Sequence, residues 1–108
     1  MIPERERLIS EAIEPDLTTS AGHAYRVGDP VVPGRFRWRG EEYAVAAVLR
    51  AWRELSPGTR AMPSRYVRRH WYRVRTADGS EMTLYVERRG RTRGRSRPGW
   101  WLYSVIRK

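Results

Sequence analysis

Six arginines crowd one short stretch of this chain: Arg88, Arg89, Arg91, Arg93, Arg95 and Arg97, with Gly90 and Gly94 among them. In an extended backbone each guanidinium reaches a phosphate, and the glycines let the chain follow a groove or a single strand. Six such contacts on a duplex would give a log–log salt slope of roughly −5. The same composition also describes a solvated loop held open by like charge, and both readings stand at this level. A second group interleaves cations with rings. Arg35, Arg37 and Arg39 alternate with Phe36 and Trp38, and Trp71, Arg73, Arg75 and Tyr85 share one face of a later segment. Rings on a sheet stack on bases for about 1–3 kcal/mol each, and neighbouring arginines add phosphate contacts and cation–π attraction. The competing reading makes Trp71 and Tyr85 a cross-strand pair packed under the N-terminal segment, with arginine stems covering them. Five tryptophans in a domain of this size are expected to be mostly core.

Other chemistries find little material. The chain has no Asn or Gln, the usual readers of adenine, so sequence-specific readout of DNA is not expected. It contains no helix-turn-helix, zinc-finger or phosphate-loop pattern. Cysteine is absent, which removes disulfides, thiolate metal sites and a cysteine nucleophile. The two histidines, His23 and His70, are far apart in sequence, and His70 is expected on the core side of a strand. The acids show no catalytic spacing, and Glu41-Glu42 beside an arginine-rich strand reads as a local ion-pair group. No catalytic residue, metal or cofactor is therefore expected, and the chain is not read as an enzyme.

These residues need elements to position them. Alternation over residues 35–39 predicts a half-buried strand with Phe36 and Trp38 inward and the arginines outward. Gly40 and its neighbours turn the chain, and Tyr43 and Val45 begin a second strand. Residues 44–55 are ambiguous. Val45, Val48, Leu49 and Trp52 have helical spacing, but a strand bulged near Ala46-Ala47 would place Tyr43, Val45, Val48 and Trp52 on one face; the bulged strand is favoured. Ser56-Pro57-Gly58 closes it. Residues 66–76 and 81–88 form the clearest hairpin, turned by Ala77-Asp78-Gly79 with Gly79 at positive φ. This register sets Val74 opposite Met82 and Tyr72 opposite Leu84 on the core face. Residues 100–106 make a last strand, apolar on both faces and so central or covered. The whole suggests a mainly β fold: a small antiparallel barrel or strongly curved sheet of SH3-like or OB-like size. Residues 1–33 form an N-terminal arm before a single β domain over 34–108. In the arm, Leu8, Ile9, Ala12 and Ile13 suit a short helix, Ile9, Glu11 and Ile13 a short strand, and Tyr25-Arg26-Val27 a further strand.

With 108 residues the chain is one domain's length. Its formal charge of +10 is uneven: residues 1–33 hold three arginines against six acids, and the remaining 19 basic and six acidic residues lie beyond. A basic body favours polyanions, nucleic acid first and an anionic membrane surface second. Lys108 is the only lysine, however, so the arginine content also has the look of genome-wide compositional bias. No apolar stretch approaches the roughly 20 residues needed to span a bilayer, and no signal-peptide run follows the charged N-terminus, so a cytoplasmic location is expected.

The run Arg35-Phe36-Arg37-Trp38-Arg39-Gly40-Glu41-Glu42-Tyr43-Ala44-Val45 resembles a bacterial family described as domain of unknown function 6504. The resemblance continues through Val48-Leu49 and Trp52-Arg53-Glu54, resumes at Tyr72-Arg73-Val74-Arg75-Thr76 and Leu84-Tyr85, and ends in Trp100-Trp101-Leu102-Tyr103. It covers about residues 34–108, with the N-terminal arm and the arginine loop as departures. It implies a β domain with an association with nucleic acid and no assigned activity. Two functions follow as expectations: nonspecific nucleic-acid binding through arginines and exposed aromatics, or a protein–protein interaction domain, whose partner would be an acidic protein or a second copy meeting through an exposed strand edge or aromatic patch.

Overall fold

The turn at residues 76–80 is closed by its own side chains. Gly79 takes φ +88°, its N–H bonds the Thr76 carbonyl, and Thr76 N–H bonds the Ser80 carbonyl, both at 2.9 Å. The Asp78 carboxylate accepts from the Thr76 hydroxyl and from the Ser80 N–H, and these bonds hold it below the usual aspartate range. The flanking strands, β5 (Val67–Thr76) and β6 (Glu81–Glu87), pair as expected: Val74 faces Met82, Tyr72 faces Leu84, and Trp71 faces Tyr85. The computed structural model describes residues 6–22, 30–55, 67–87 and 99–107. The Arg88–Arg97 loop, His23, the strand expected at 25–27 and the turn at 56–58 lie outside the described residues.

The remaining strands are β1 (Glu6–Ala12), β2 (Glu14–Pro15), β3 (Arg35–Trp38), β4 (Glu41–Leu55) and β7 (Gly99–Ile106). All pairs are antiparallel, in the order β1-β7-β6-β5-β4-β3-β2. Both ends of this order lie on one stretch of chain, since only Ile13 separates β1 from β2. Ile13 N–H bonds the Trp100 carbonyl, and Asp16 N–H bonds the Arg35 carbonyl. The sheet therefore curls until its two ends meet on a shared segment, giving a strongly curved, barrel-like domain. Residues 6–12, for which helix and strand both stood open, are strand. β7 lies between β6 and β1, with Trp100 and Leu102 buried in the core and Trp101 and Tyr103 packed against other rings on the opposite face.

β4 does the turning on the opposite side. Its first four residues pair with β3, and from Val45 onward it pairs with β5. The tight β3–β4 hairpin has Arg39 at φ +52° and Gly40 at φ +76°, the left-handed pair that a two-residue loop demands. Two extra residues of β4, Ala46 and Leu49, interrupt the β4–β5 ladder, and a third shift falls between Glu54 and Leu55. The expected bulge near Ala46-Ala47 is thus present. The second, at Leu49, overturns the placement of Trp52: Val48 and Ala51 pack against the core, and Trp52 goes to the outer face.

The core lies inside the curl. Phe36 and Trp38 enter from β3, with Tyr43 stacked on Phe36 at 5.6 Å. Val74, Met82, Leu84 and Leu102 are wholly buried between the two halves of the sheet. Each such side chain contributes about 1.5–3 kcal/mol of transfer free energy, enough in sum to hold a domain without disulfides.

Candidate nucleic-acid interface

Trp52, Trp71, Tyr85 and Trp101 occupy paired positions on β4, β5, β6 and β7, so they form a row across the outer face. Their rings touch in sequence. Trp52 stacks on Trp71 at 5.8 Å and 7°, Trp71 tilts against Tyr85 at 4.8 Å, and Tyr85 stacks on Trp101 at 6.1 Å and 4°. Tyr103 meets Trp71 edge-on at 5.1 Å. It reaches there because β7 carries an extra residue opposite the Thr83/Leu84 step. Tyr85 is buried, Trp71 and Trp101 are half-buried, and Trp52 and Tyr103 retain 36% and 38% exposure. The expected Trp71–Tyr85 cross-strand pair therefore exists, flanked by further rings. The expectation that most tryptophans are core is corrected: Trp38 and Trp100 are, whereas Trp52, Trp71 and Trp101 form the outer row.

The next row toward the turn runs Arg50, Arg73, Thr83, Ser104 and Leu8. Between the two rows lies an open groove of about 420 Å³, with Trp52, Trp71 and Tyr103 as apolar walls and Thr83 and Ser104 as polar floor. Its charges are mixed. Glu6 Oε1 accepts from the Ser104 hydroxyl at 3.0 Å and from Arg73 Nη2 at 3.4 Å, while Glu54 Oε1 accepts from Trp71 Nε1 at 3.0 Å. Thr83 is 5% exposed, and its Oγ1 is buried with no hydrogen-bond partner among the described residues.

The arginines divide by partner. Arg69 sits 4.9 Å over the Tyr85 ring and is bonded to Glu87 at 2.8 Å, a contact that raises its already high pKa. Arg73 is tied to Glu6 and lies 3.8 Å from Glu81. Arg50 stacks 5.2 Å over Trp52. Among the described residues, Arg7, Arg37, Arg50 and Arg75 have no carboxylate at salt-bridge distance.

The predicted site residues are thus only partly assembled. Trp71, Arg73 and Tyr85 come together on the groove face, and Arg75 lies two residues beyond Arg73 on the same strand. Arg35, Arg37 and Arg39 belong to the β2–β3 side and do not line the groove. Their surface is acid-rich. Arg35 lies near Asp16 and Glu42, and Arg37 is flanked across the ladder by Glu14 and Glu42. Arg39 forks onto Glu11 at 2.9 and 2.7 Å, and Glu11 also accepts from Trp38 Nε1 at 2.9 Å. The Arg39 bond, and then the Trp38 bond, push the Glu11 carboxyl down to about 2. The single open side of rings and cations that the sequence suggested is therefore confined to the β4–β7 face. Arg88, Arg89, Arg91, Arg93, Arg95 and Arg97 lie outside the described residues. Trp52, Tyr103, Glu6 and Ser104 were not candidates from the sequence, because each reaches the groove through a bulge or through the pairing of the two terminal strands, whereas Thr83 lies on the outer hairpin face that the register predicted and was not singled out there. Among the described residues there is no group of three or more acidic or histidine side chains able to hold a metal, and no helix long and apolar enough to cross a membrane.

A curled all-β domain with an aromatic groove on its outer face is the class of protein these observations define. The chain belongs to the family described as Domain of unknown function (DUF6504), whose model matches residues 1–107. This span includes the N-terminal segment and the 88–97 stretch, which the sequence resemblance had set apart as departures. Comparison with curated proteins and with solved structures finds no match to either.

Proposed function

We propose that this domain binds single-stranded nucleic acid, largely without sequence preference, across the outer face of β4–β7. The observation that carries the proposal is the aromatic row, whose exposed members Trp52 and Tyr103 flank an open groove. Buried aromatics need no such opening. Exposed ones at the mouth of a groove offer stacking surface to unstacked bases, which a duplex does not present. Arg50, stacked on Trp52 without a carboxylate partner among the described residues, supplies a phosphate contact beside the ring. The overall charge of +10 supplies the long-range attraction.

The test is a fluorescence-anisotropy titration with labelled single- and double-stranded oligonucleotides at low and high salt. The expected result is tighter binding to the single strand, weakened by salt, with Trp52→Ala losing roughly 5- to 150-fold, the equivalent of about 1–3 kcal/mol for one stacked base. Replacing Arg91, Arg93 and Arg95 together should flatten the single-strand salt slope by about 2 units if they meet phosphates. No binding at low salt by the wild-type protein would sink the proposal.

One observation favours a second reading, a protein partner. Beyond Ala44, β4 pairs only with β5, and among the described residues no strand covers its other edge. Leu49, Trp52 and Leu55 are exposed along this stretch. An open, apolar edge templates strand addition, most simply by a second copy of the chain. Sedimentation of the free protein separates the readings: a stable dimer without oligonucleotide binding favours the edge.

A further inference from the structure

The groove is furnished for more than stacking. Thr83 is central on its floor, and the Thr83 Oγ1 is the one buried side-chain polar atom lacking a partner among the described residues. Buried hydroxyls are ordinarily bonded, and leaving one orphaned is unfavourable. Its neighbours explain how it became sealed. Alternate strands of a sheet lie about 10 Å apart. Trp71 on β5 and Tyr103 on β7 nevertheless approach to 5.1 Å, so their rings lean together above β6, the strand that carries Thr83. Tyr103 is the exposed partner of that contact.

Carboxylate acceptors line the same groove. Glu6 uses Oε1 for both Ser104 and Arg73, and Oε2 takes neither bond. Glu54 stands at the Trp52 end. Carboxylates repel a phosphate and accept from amino groups, so the groove's interior suits a base while its arginine surroundings suit the backbone. We propose, on the basis of the nucleic-acid reading above, that this groove is a subsite for one base bearing an exocyclic amino group. The base displaces Tyr103 from Trp71 and stacks on the exposed tryptophan surface. Its amino group donates to Glu6, and its ring acceptor accepts a hydrogen bond from the Thr83 hydroxyl. Cytosine and adenine offer this donor; thymine and uracil offer a carbonyl at the corresponding place and would face the carboxylate unfavourably.

The experiment compares labelled oligodeoxycytidine with oligothymidine, about 12 nucleotides each to exceed one site. Wild-type protein should bind the cytidine strand at least about 5-fold more tightly, the lower bound for one good base contact. Thr83→Val should erase most of that preference and melt at or above the wild-type temperature because it removes an unsatisfied hydroxyl. A merely structural threonine would move the melting temperature alone. Glu6→Gln provides the same comparison if the valine variant does not fold. Equal affinity for the two strands, or a preference untouched by Thr83→Val, overturns the subsite while nucleic-acid binding stands. Binding to neither strand defeats the underlying reading instead.

Discussion

Trp71 is the keystone of the outer row, and its removal should be far more damaging than that of its neighbour Trp52. Trp71 touches three rings, Trp52, Tyr85 and Tyr103, and its indole N–H bonds Glu54. Trp52 touches one ring and one guanidinium and is more than one-third exposed. Truncating a well-packed tryptophan costs about 3–5 kcal/mol. Since Trp71 is half-buried, the lower half of that range applies, about 3–4 kcal/mol, which includes three ring pairs of about 0.5–1.5 kcal/mol each. For Trp52→Ala one ring pair and partial burial amount to about 1–2 kcal/mol. In a domain of this length 1 kcal/mol moves the melting temperature by about 4–8 °C. Trp71→Ala should therefore melt at least about 12 °C below wild type, and Trp52→Ala less than about 16 °C below it with the smaller shift of the two. Urea unfolding of both single variants and the double variant gives the Trp52–Trp71 coupling directly, expected at about 0.5–1.5 kcal/mol. Equal destabilisation by the two substitutions, or no coupling, would refute the idea that the row is organised around Trp71.

Glu11 makes the domain acid-sensitive over a defined window. Its folded carboxyl titrates at about 2 rather than 4.5, through the Arg39 and Trp38 bonds, so its contribution is complete above pH 4.5 and is lost as pH falls toward 2. The stability gap between wild type and Glu11→Gln, measured by urea unfolding across that range, should be widest above pH 4.5 and close toward pH 2; a constant gap would contradict the assignment. Gly40 sits at φ +76° in the β3–β4 loop, so Gly40→Val should lower stability by about 1–2 kcal/mol through backbone strain alone, because open space surrounds its Cβ position. Leu84→Ala, at a wholly buried site, should cost about 2–5 kcal/mol in the same assay.

The parts of the fold written in short-range pattern were legible. Two-residue alternation placed Phe36 and Trp38 inside, and Asp78-Gly79 fixed the β5–β6 register down to the Trp71–Tyr85 pair. Features that depend on an added residue were not. Leu49 follows an apolar stretch in which no glycine or proline marks a second bulge, and it alone moves Trp52 from the inner to the outer face. The β7 irregularity that brings Tyr103 over the groove has the same character. The arginines misled for a different reason. Charge can be counted in a sequence, but the pairing of Arg39 with Glu11 and of Arg35 with Asp16 depends on the N-terminal segment lying beside β3 and its loop, a long-range arrangement. Glu6 reached the groove in the same way, through β1 on β7.

The segment shared by the two ends of the sheet also governs how the chain acquires its shape. Ile13 can bond the Trp100 carbonyl only once residues 99–106 are available, and β1 pairs with β7 alone, so a growing polypeptide holds β1 without a strand partner until β7 has been made. Hairpins such as β5–β6 can assemble early from neighbours in sequence, whereas the final locking step joins the most distant parts of the molecule. Such topology places the domain among the slower folders of its size and makes the arrival of β7, rather than that of any earlier strand, the point at which the aromatic groove comes into being.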